Sequence, residues 1–114
     1  MINAKCHCGN VELSFKQLSE SYTICNCSIC RRYGVKWIYF TPSEVSIKEK
    51  VKTIPYIWGD KMIAFHHCSV CGCVSHYTSL PDSGVNKIAI NANLLEHPQL
   101  LDELAIRKFN GADM

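Results

Sequence analysis

The residues of this chain best suited to chemistry are its eight cysteines, which fall into three short groups. Thiolates spaced two or three residues apart can converge on one metal ion, and zinc is the usual ion for such sets. The sequence therefore predicts that the cysteines are metal ligands rather than disulfide partners or core residues. The three groups are Cys6-His7-Cys8-Gly9, Cys25-Asn26-Cys27-Ser28-Ile29-Cys30 and Cys68-Ser69-Val70-Cys71-Gly72-Cys73.

The third group contains a zinc knuckle, Cys68-x-x-Cys71-Gly72, in which two thiolates converge and the glycine relieves crowding. A tetrahedral site needs two further ligands, and Cys6 and Cys8 are the natural partners. We therefore expect these four cysteines to form a closed, structural zinc site. Such a site would join the N-terminal segment to the middle of the chain.

The second group supplies three ligands within six residues, Cys25, Cys27 and Cys30, with no obvious fourth ligand. An open position on zinc can bind water or substrate, so this site is predicted to be catalytic. Three thiolates around Zn²⁺ leave a net charge of −1, which favours a soft guest such as a substrate thiol, held as the thiolate. We thus expect two zinc ions per chain. Arg31 and Arg32 are candidates for binding a substrate carboxylate.

Two questions stay open at this point. Cys73 could close the triad site as a fourth ligand, which would leave a non-catalytic, zinc-stabilised binding module. His66 and His67 precede the knuckle, and on an alternating strand at most one of them can face a metal. Either histidine is a candidate proton-transfer group, although structural or surface roles are commoner for such residues.

The segments between the cysteine groups are mostly typical of strands. Val11, Leu13 and Phe15 alternate with polar residues, which is the period of a half-buried strand. Gly59-Asp60 is predicted to turn a hairpin whose first strand, because it contains Pro55, lies at a sheet edge or carries a bulge. Residues 98–106 have the pattern of a short helix. We expect one mainly β domain over residues 1–114, with strands at residues 11–15, 35–40, 54–58, 62–65, 74–77 and 87–91.

Composition and charge limit the possible functions. Hydrophobic residues make up 47% of the chain and charged residues 19%, as in globular proteins. The net charge of +2 is small, and no basic recognition helix is evident, so nucleic-acid binding is not expected. No segment has the roughly 20 apolar residues that cross a bilayer. The N-terminus lacks the features of a secretory signal, which predicts a cytoplasmic protein with reduced thiols.

The three cysteine motifs, taken in order, resemble those of the glutathione-dependent formaldehyde-activating enzyme family. The Cys-Asn-Cys-Ser-x-Cys-Arg motif at residues 25–31 and Ile-Asn-Ala-Asn-Leu at residues 90–94 are similar to its centromere-protein-V-like branch. The resemblance covers residues 5–95, with a weaker similarity at residues 108–111.

This resemblance implies a β-tent fold of coiled antiparallel sheets. It also implies a carbon–sulfur lyase that joins glutathione, its thiol partner, to formaldehyde as S-hydroxymethylglutathione. The site residues that it implies are Cys6, Cys8, Cys68 and Cys71 for a structural zinc, and Cys25, Cys27 and Cys30 for a catalytic zinc. The oligomeric state is left open.

Overall fold

A computed structural model of the chain describes residues 1–59 and 61–113, and this part is built mainly of β-strands. The described residues contain ten strands, several short 3₁₀ turns and one α-helix, α1, at Ser28–Tyr33. This confirms the predicted mainly β fold. The strands are β1 Ile2–Lys5, β2 Val11–Phe15, β3 Ser21–Cys25, β4 Trp37–Phe40, β5 Val45–Glu49, β6 Ile54–Tyr56, β7 Ile63–His67, β8 Val74–Ser79, β9 Ile88–Asn91 and β10 Ala105–Phe109.

The strands form two sheets. The three-stranded sheet has the order β1-β2-β5, and the seven-stranded sheet has the order β10-β3-β4-β9-β8-β7-β6. Neighbouring strands are antiparallel except β10, which runs parallel to β3 and places Phe109 opposite Cys25. The sheet edge at β10 therefore lies beside the second cysteine group.

The main hydrophobic core lies between the two sheets. Val11, Leu13 and Phe15 of β2 are buried, whereas Glu12 between them is exposed, as the two-residue alternation predicts. These side chains pack against inward-facing residues of the seven-stranded sheet, including Ile38. Strand β9 is buried along its whole length, since both of its faces are covered.

A second core covers the outer face of the seven-stranded sheet. Trp37 in β4 points away from Ile38, so it packs on this outer face with Phe65 and Tyr77 from neighbouring strands. Helix α1 lies over the same face and contributes Cys30 to the cluster. The candidate site is therefore built on a rigid, doubly covered part of the sheet.

Two expectations about elements need correction. Residues 98–106 are not one helix, because Pro98–Glu103 forms 3₁₀ turns and the following residues belong to β10. Pairing with β3 supplies backbone hydrogen bonds that the local apolar pattern does not reveal. The edge hairpin β6–β7 is confirmed, although β6 ends at Tyr56 and Asp60 of the predicted turn lies outside the described residues.

Helix α1 was not anticipated, because its six residues are too few to show a helical period. Its ends are nevertheless well defined. Cys27 is the N-cap, and its sulfur accepts a hydrogen bond from the amide of Cys30. Gly34 ends the helix in a left-handed conformation at φ 68°, which glycine adopts without steric cost. Within the described residues, no helix has the length and apolar character needed to cross a membrane.

Candidate metal centres

Cys6, Cys8, Cys68 and Cys71 form the first sulfur cluster, called here the four-cysteine cluster. Their sulfur atoms all lie within 4.8 Å of one another. The Cys6 and Cys8 sulfurs are 3.7 Å apart, and those of Cys8 and Cys68 are 3.6 Å apart. A regular tetrahedron with Zn–S bonds of about 2.3 Å separates its sulfurs by about 3.8 Å. The donor set and its spacing therefore fit a zinc ion.

The knuckle turn after β7 places backbone amides around the Cys68 sulfur. The amides of Val70 and Cys71 donate to this sulfur at 3.3 and 3.4 Å, and the Gly72 amide donates to the Cys68 carbonyl at 3.0 Å. Burial opposes ionisation of Cys68, but these donors outweigh it and lower its pKa to about 6. The turn thus favours the thiolate, which is the form that binds a metal.

The N-terminal half of the four-cysteine cluster follows β1 and is held by a similar turn. The Gly9 amide donates to the Cys6 carbonyl at 3.0 Å, and the Val11 amide donates to the Cys6 sulfur at 3.3 Å. Asn10, which is buried, donates through its side-chain amide to the Cys68 sulfur at 3.5 Å. The cluster consequently joins the three-stranded sheet to the β7–β8 end of the seven-stranded sheet.

Cys25, Cys27 and Cys30 form the second sulfur cluster, called here the cysteine triad. Cys25 ends β3, Cys27 caps α1 and Cys30 lies in the first turn of that helix. Their three sulfurs lie within 4.8 Å of one another. In the part of the chain that the structure describes, no fourth cysteine, histidine or carboxylate joins this group. The set fits a soft metal ion with one coordination position left for another ligand.

Hydrogen bonds distinguish the three thiols of the triad. The amide of Cys30 donates to the Cys27 sulfur at 3.4 Å, and the Trp37 indole N–H donates to the Cys30 sulfur at 3.4 Å. Burial opposes ionisation of Cys27, but backbone donors outweigh it and lower the pKa of this thiol. Burial raises the pKa of Cys25 and of Cys30. Cys27 is therefore the thiol of the metal-free triad that ionises most readily.

The C-terminal segment is fastened to the triad loop through Asn26, which lies between two of the cysteines. The Asn26 amide donates to the Phe109 carbonyl at 3.2 Å, and its side chain donates to Asn110 at 2.9 Å. The Ala112 amide donates back to the Asn26 side chain at 3.0 Å. The sequence analysis did not predict this contact. The signal available for it was the weak family similarity at residues 108–111.

The triad opens into a cavity of about 290 Å³ with mostly aromatic walls. Trp58 and Phe109 stand at its mouth, with 42% and 37% of their surfaces exposed. Trp37 and Tyr77 stack edge to face inside it, with ring centres 4.9 Å apart. The cysteine sulfurs therefore meet a small, largely apolar space rather than open solvent. The non-cysteine lining consists of Ile29, Trp37, Tyr39, Trp58, Gly59, Ile63, Phe65, Tyr77 and Phe109.

Cys73 is not part of the triad group. It lies beside Cys71 of the four-cysteine cluster and lines a separate depression of about 760 Å³ on the other side of α1. Arg32 also lines that depression, and its guanidinium donates to the Ser28 carbonyl at 2.8 Å. Arg31 is exposed and does not line the triad cavity. The structure thus separates these three side chains from the triad cavity.

The two candidate histidines also lie away from the triad cavity. His66 stacks on His76 with ring centres 4.5 Å apart, and its nitrogens are hydrogen-bonded to Thr53 at 3.0 Å and Thr78 at 3.1 Å. His67 lines the depression that contains Cys73. Tyr39 and Tyr77 are the hydroxyl-bearing side chains that line the triad cavity instead, and sequence reasoning missed both. The available signal was the spacing of Trp37 and Tyr39, because side chains two residues apart in a strand project to the same face.

Comparison with known proteins finds a similar solved structure and a matching family model. Among solved structures, the chain is similar to the crystal structure of a Rhodobacter sphaeroides protein, a structural-genomics target, with 25% sequence identity and a TM-score of 0.74. The alignment covers 91% of this chain and 98% of that one. A search of curated proteins finds no match. The family model for the glutathione-dependent formaldehyde-activating enzyme matches residues 1–107, which include all eight cysteines. The chain therefore belongs to the glutathione-dependent formaldehyde-activating enzyme family.

Proposed function

We propose that this protein is a zinc-dependent carbon–sulfur lyase that joins a small thiol, glutathione, to formaldehyde and also cleaves the adduct. The observation that carries this proposal is the cysteine triad, which lies at an aromatic cavity and has no fourth ligand among the described residues. The family name supports glutathione and formaldehyde as the two reactants. The four-cysteine cluster would hold a second, structural zinc in a single domain formed by residues 1–114.

The triad residues would hold the catalytic zinc, which would act as a Lewis acid that favours the ionised form of a guest thiol. The Trp37 indole keeps the Cys30 sulfur oriented, and the Cys30 amide does the same for Cys27. The aromatic walls would shield the guest sulfur from part of the surrounding water. These contacts fix the ligand geometry before substrate arrives.

The reaction forms one carbon–sulfur bond. The thiol sulfur attacks the carbonyl carbon, the carbonyl π bond breaks, and the thiol proton ends on the former carbonyl oxygen. Burial raises the pKa of both Tyr39 and Tyr77, and their hydroxyls hydrogen-bond each other, so the protonated pair would supply one hydrogen-bond donor to that oxygen. Cleavage of the adduct runs through the same contacts in reverse.

All eight cysteines are free of disulfides in the structure. Metal binding by these thiols requires that they stay reduced, which suits the cytoplasm. We therefore assign the protein to that compartment as part of the proposal.

The test compares Cys27→Ser with Cys71→Ser. Serine keeps the N-cap of α1, so Cys27→Ser should remain folded, bind one zinc ion and lose both glutathione binding and S-hydroxymethylglutathione formation. Cys71→Ser should lose the structural zinc and unfold at a much lower temperature, since structural zinc contributes directly to folding. Zinc content, thermal unfolding and glutathione calorimetry on each purified protein provide the measurements.

Wild-type protein is the reference and should bind two zinc ions per chain. If it holds both ions and binds no glutathione, the enzyme proposal is wrong and a zinc-stabilised binding module remains. If the Cys27→Ser variant retained both zinc ions, this would contradict the proposal that the triad holds the catalytic zinc.

A further inference from the structure

Lys87 places a positive charge at the wall of the triad cavity. It precedes β9 and projects to the same face as Ala89, which pairs with Tyr39 on one side and Tyr77 on the other. The ammonium nitrogen is 4.6 Å from the ring centre of Tyr39 and 5.7 Å from that of Tyr77. Both rings line the cavity, so the charge lies just behind its aromatic wall.

Arg107 brings a second positive charge to the same face from β10. In the pairing of β10 with β3, Arg107 is opposite Thr23 and Phe109 is opposite Cys25. Arg107 therefore lies two residues along β10 from the position beside the triad. Two residues of strand span about 7 Å. The guanidinium carbon lies 5.6 Å from the ring centre of Phe109, and a guanidinium nitrogen is 3.3 Å from the Thr23 hydroxyl.

These two cations lack a carboxylate partner in the part of the chain that the structure describes. The ion pair found there, Lys5 with Glu96, lies elsewhere. Burial, and then the charge of Arg107, lower the pKa of Lys87, so the two cations lie close enough to repel each other. An anion at this position would remove the repulsion and gain charge-assisted hydrogen bonds.

We propose that Lys87 and Arg107 form a carboxylate-binding subsite beside the aromatic wall of the triad cavity, against the rings of Tyr39 and Phe109. The site would then select thiols that also carry a carboxylate, and it would disfavour neutral thiols of the same size. The choice of a thiol as the ligand rests on the proposed function, whereas its carboxylate group is inferred from the two cations alone. Arg31 is not needed for this role.

The experiment uses S-methylglutathione and its diethyl ester as probes on zinc-loaded protein. A thioether has no thiol proton to lose, so its binding reports the carboxylate subsite separately from thiol chemistry. Wild-type protein should bind the acid more tightly than the ester. Lys87→Met keeps the aliphatic packing but removes the charge, and it should weaken binding of the acid about tenfold. Arg107→Gln, at an exposed position, should weaken it about threefold. Neither variant should change binding of the ester.

Lys108→Gln is the matched control, because it removes the same charge from the next residue, which projects to the opposite face of β10. It should leave both affinities unchanged. Equal losses for acid and ester, an equal loss in Lys108→Gln, or no binding of S-methylglutathione by wild-type protein would each overturn the subsite. If the acid binds as expected but glutathione binding is the same in wild type and Cys27→Ser, the subsite stands and the proposed function fails.

Discussion

Gly111 lies so close to the cysteine triad that its position has no room for a side chain. A Cβ atom there would be 2.7 Å from the Cys25 sulfur and 2.9 Å from the Cys27 Cβ. The backbone of Gly111 is not in the left-handed region, so space rather than conformation requires glycine at this position. We therefore expect Gly111→Ala to displace the C-terminal segment or the triad loop. The measurement is zinc content, which should fall from two ions toward one.

Gly84→Ala is the control for this prediction. Gly84 has φ 75° and open space around it, so alanine there strains the backbone at about 1 kcal/mol without touching a sulfur atom. It should lower the unfolding temperature and keep both zinc ions. If Gly111→Ala retained two ions with unchanged affinity, the close contact would have no consequence for the triad.

The cysteines could be grouped from sequence because ligand spacing within a turn is a local property. Cys68 and Cys71 are three residues apart, and a knuckle turn brings their sulfurs together whatever the rest of the chain does. Arg31 was assigned to the triad by the same local reasoning, yet its side chain is exposed and does not line the cavity. Adjacency in sequence places a residue near a site but does not decide the direction of its side chain.

Strands with a strong alternating pattern could also be predicted, and β2 is the clearest example. Strand β10 could not, because all five of its residues are exposed and the strand that it pairs with, β3, lies about 80 residues earlier in the chain. The cavity depends on that pairing, since β10 supplies Phe109. The contribution of Phe109 to the aromatic lining was therefore hidden from sequence reasoning even where the cysteines were evident.

Strand β8 carries a histidine that should make stability depend on pH. His76 is 2% exposed, and burial, followed by the charge of neighbouring His66, lowers its pKa to about 3. An unfolded histidine titrates near 6.5, so below that pH the unfolded chain binds a proton that the folded chain does not. His76 therefore makes folding less stable as pH falls from about 6.5 toward 3. From pH 6.5 to 5 this loss is about 1.5 kcal/mol.

His76→Gln should remove that part of the pH dependence, because glutamine does not titrate. The free energy of unfolding, measured with denaturant at pH 6.5 and 5.0, should fall less in the variant than in wild type. Acid also protonates the cysteine ligands, but it does so in both proteins, and the comparison cancels this effect. Parallel pH dependences in the two proteins would show that His76 is not kept neutral by burial.

At the scale of the whole molecule, the two sulfur clusters are placed differently in the fold. The four-cysteine cluster links residues 60 positions apart, Cys8 and Cys68, and so ties one sheet to the other. The triad draws all its ligands from a six-residue stretch at the end of β3. Closing a longer loop removes more conformational entropy from the unfolded chain. The four-cysteine cluster should therefore contribute more to stability than the triad.

Stepwise removal of zinc should expose this difference. The triad offers three protein ligands and a cavity through which a chelator can reach the metal, whereas the four-cysteine cluster surrounds its ion with four thiolates. We expect a chelator to remove the first equivalent of zinc with little change in the circular dichroism spectrum. Removal of the second equivalent should coincide with unfolding, because binding free energy at a structural site is also folding free energy. Zinc release and circular dichroism, recorded in the same titration, test this order. Loss of structure on removal of the first zinc equivalent would mean that the triad zinc supports the fold. The Cys27→Ser variant, which is expected to lack this zinc, should then be unfolded as well.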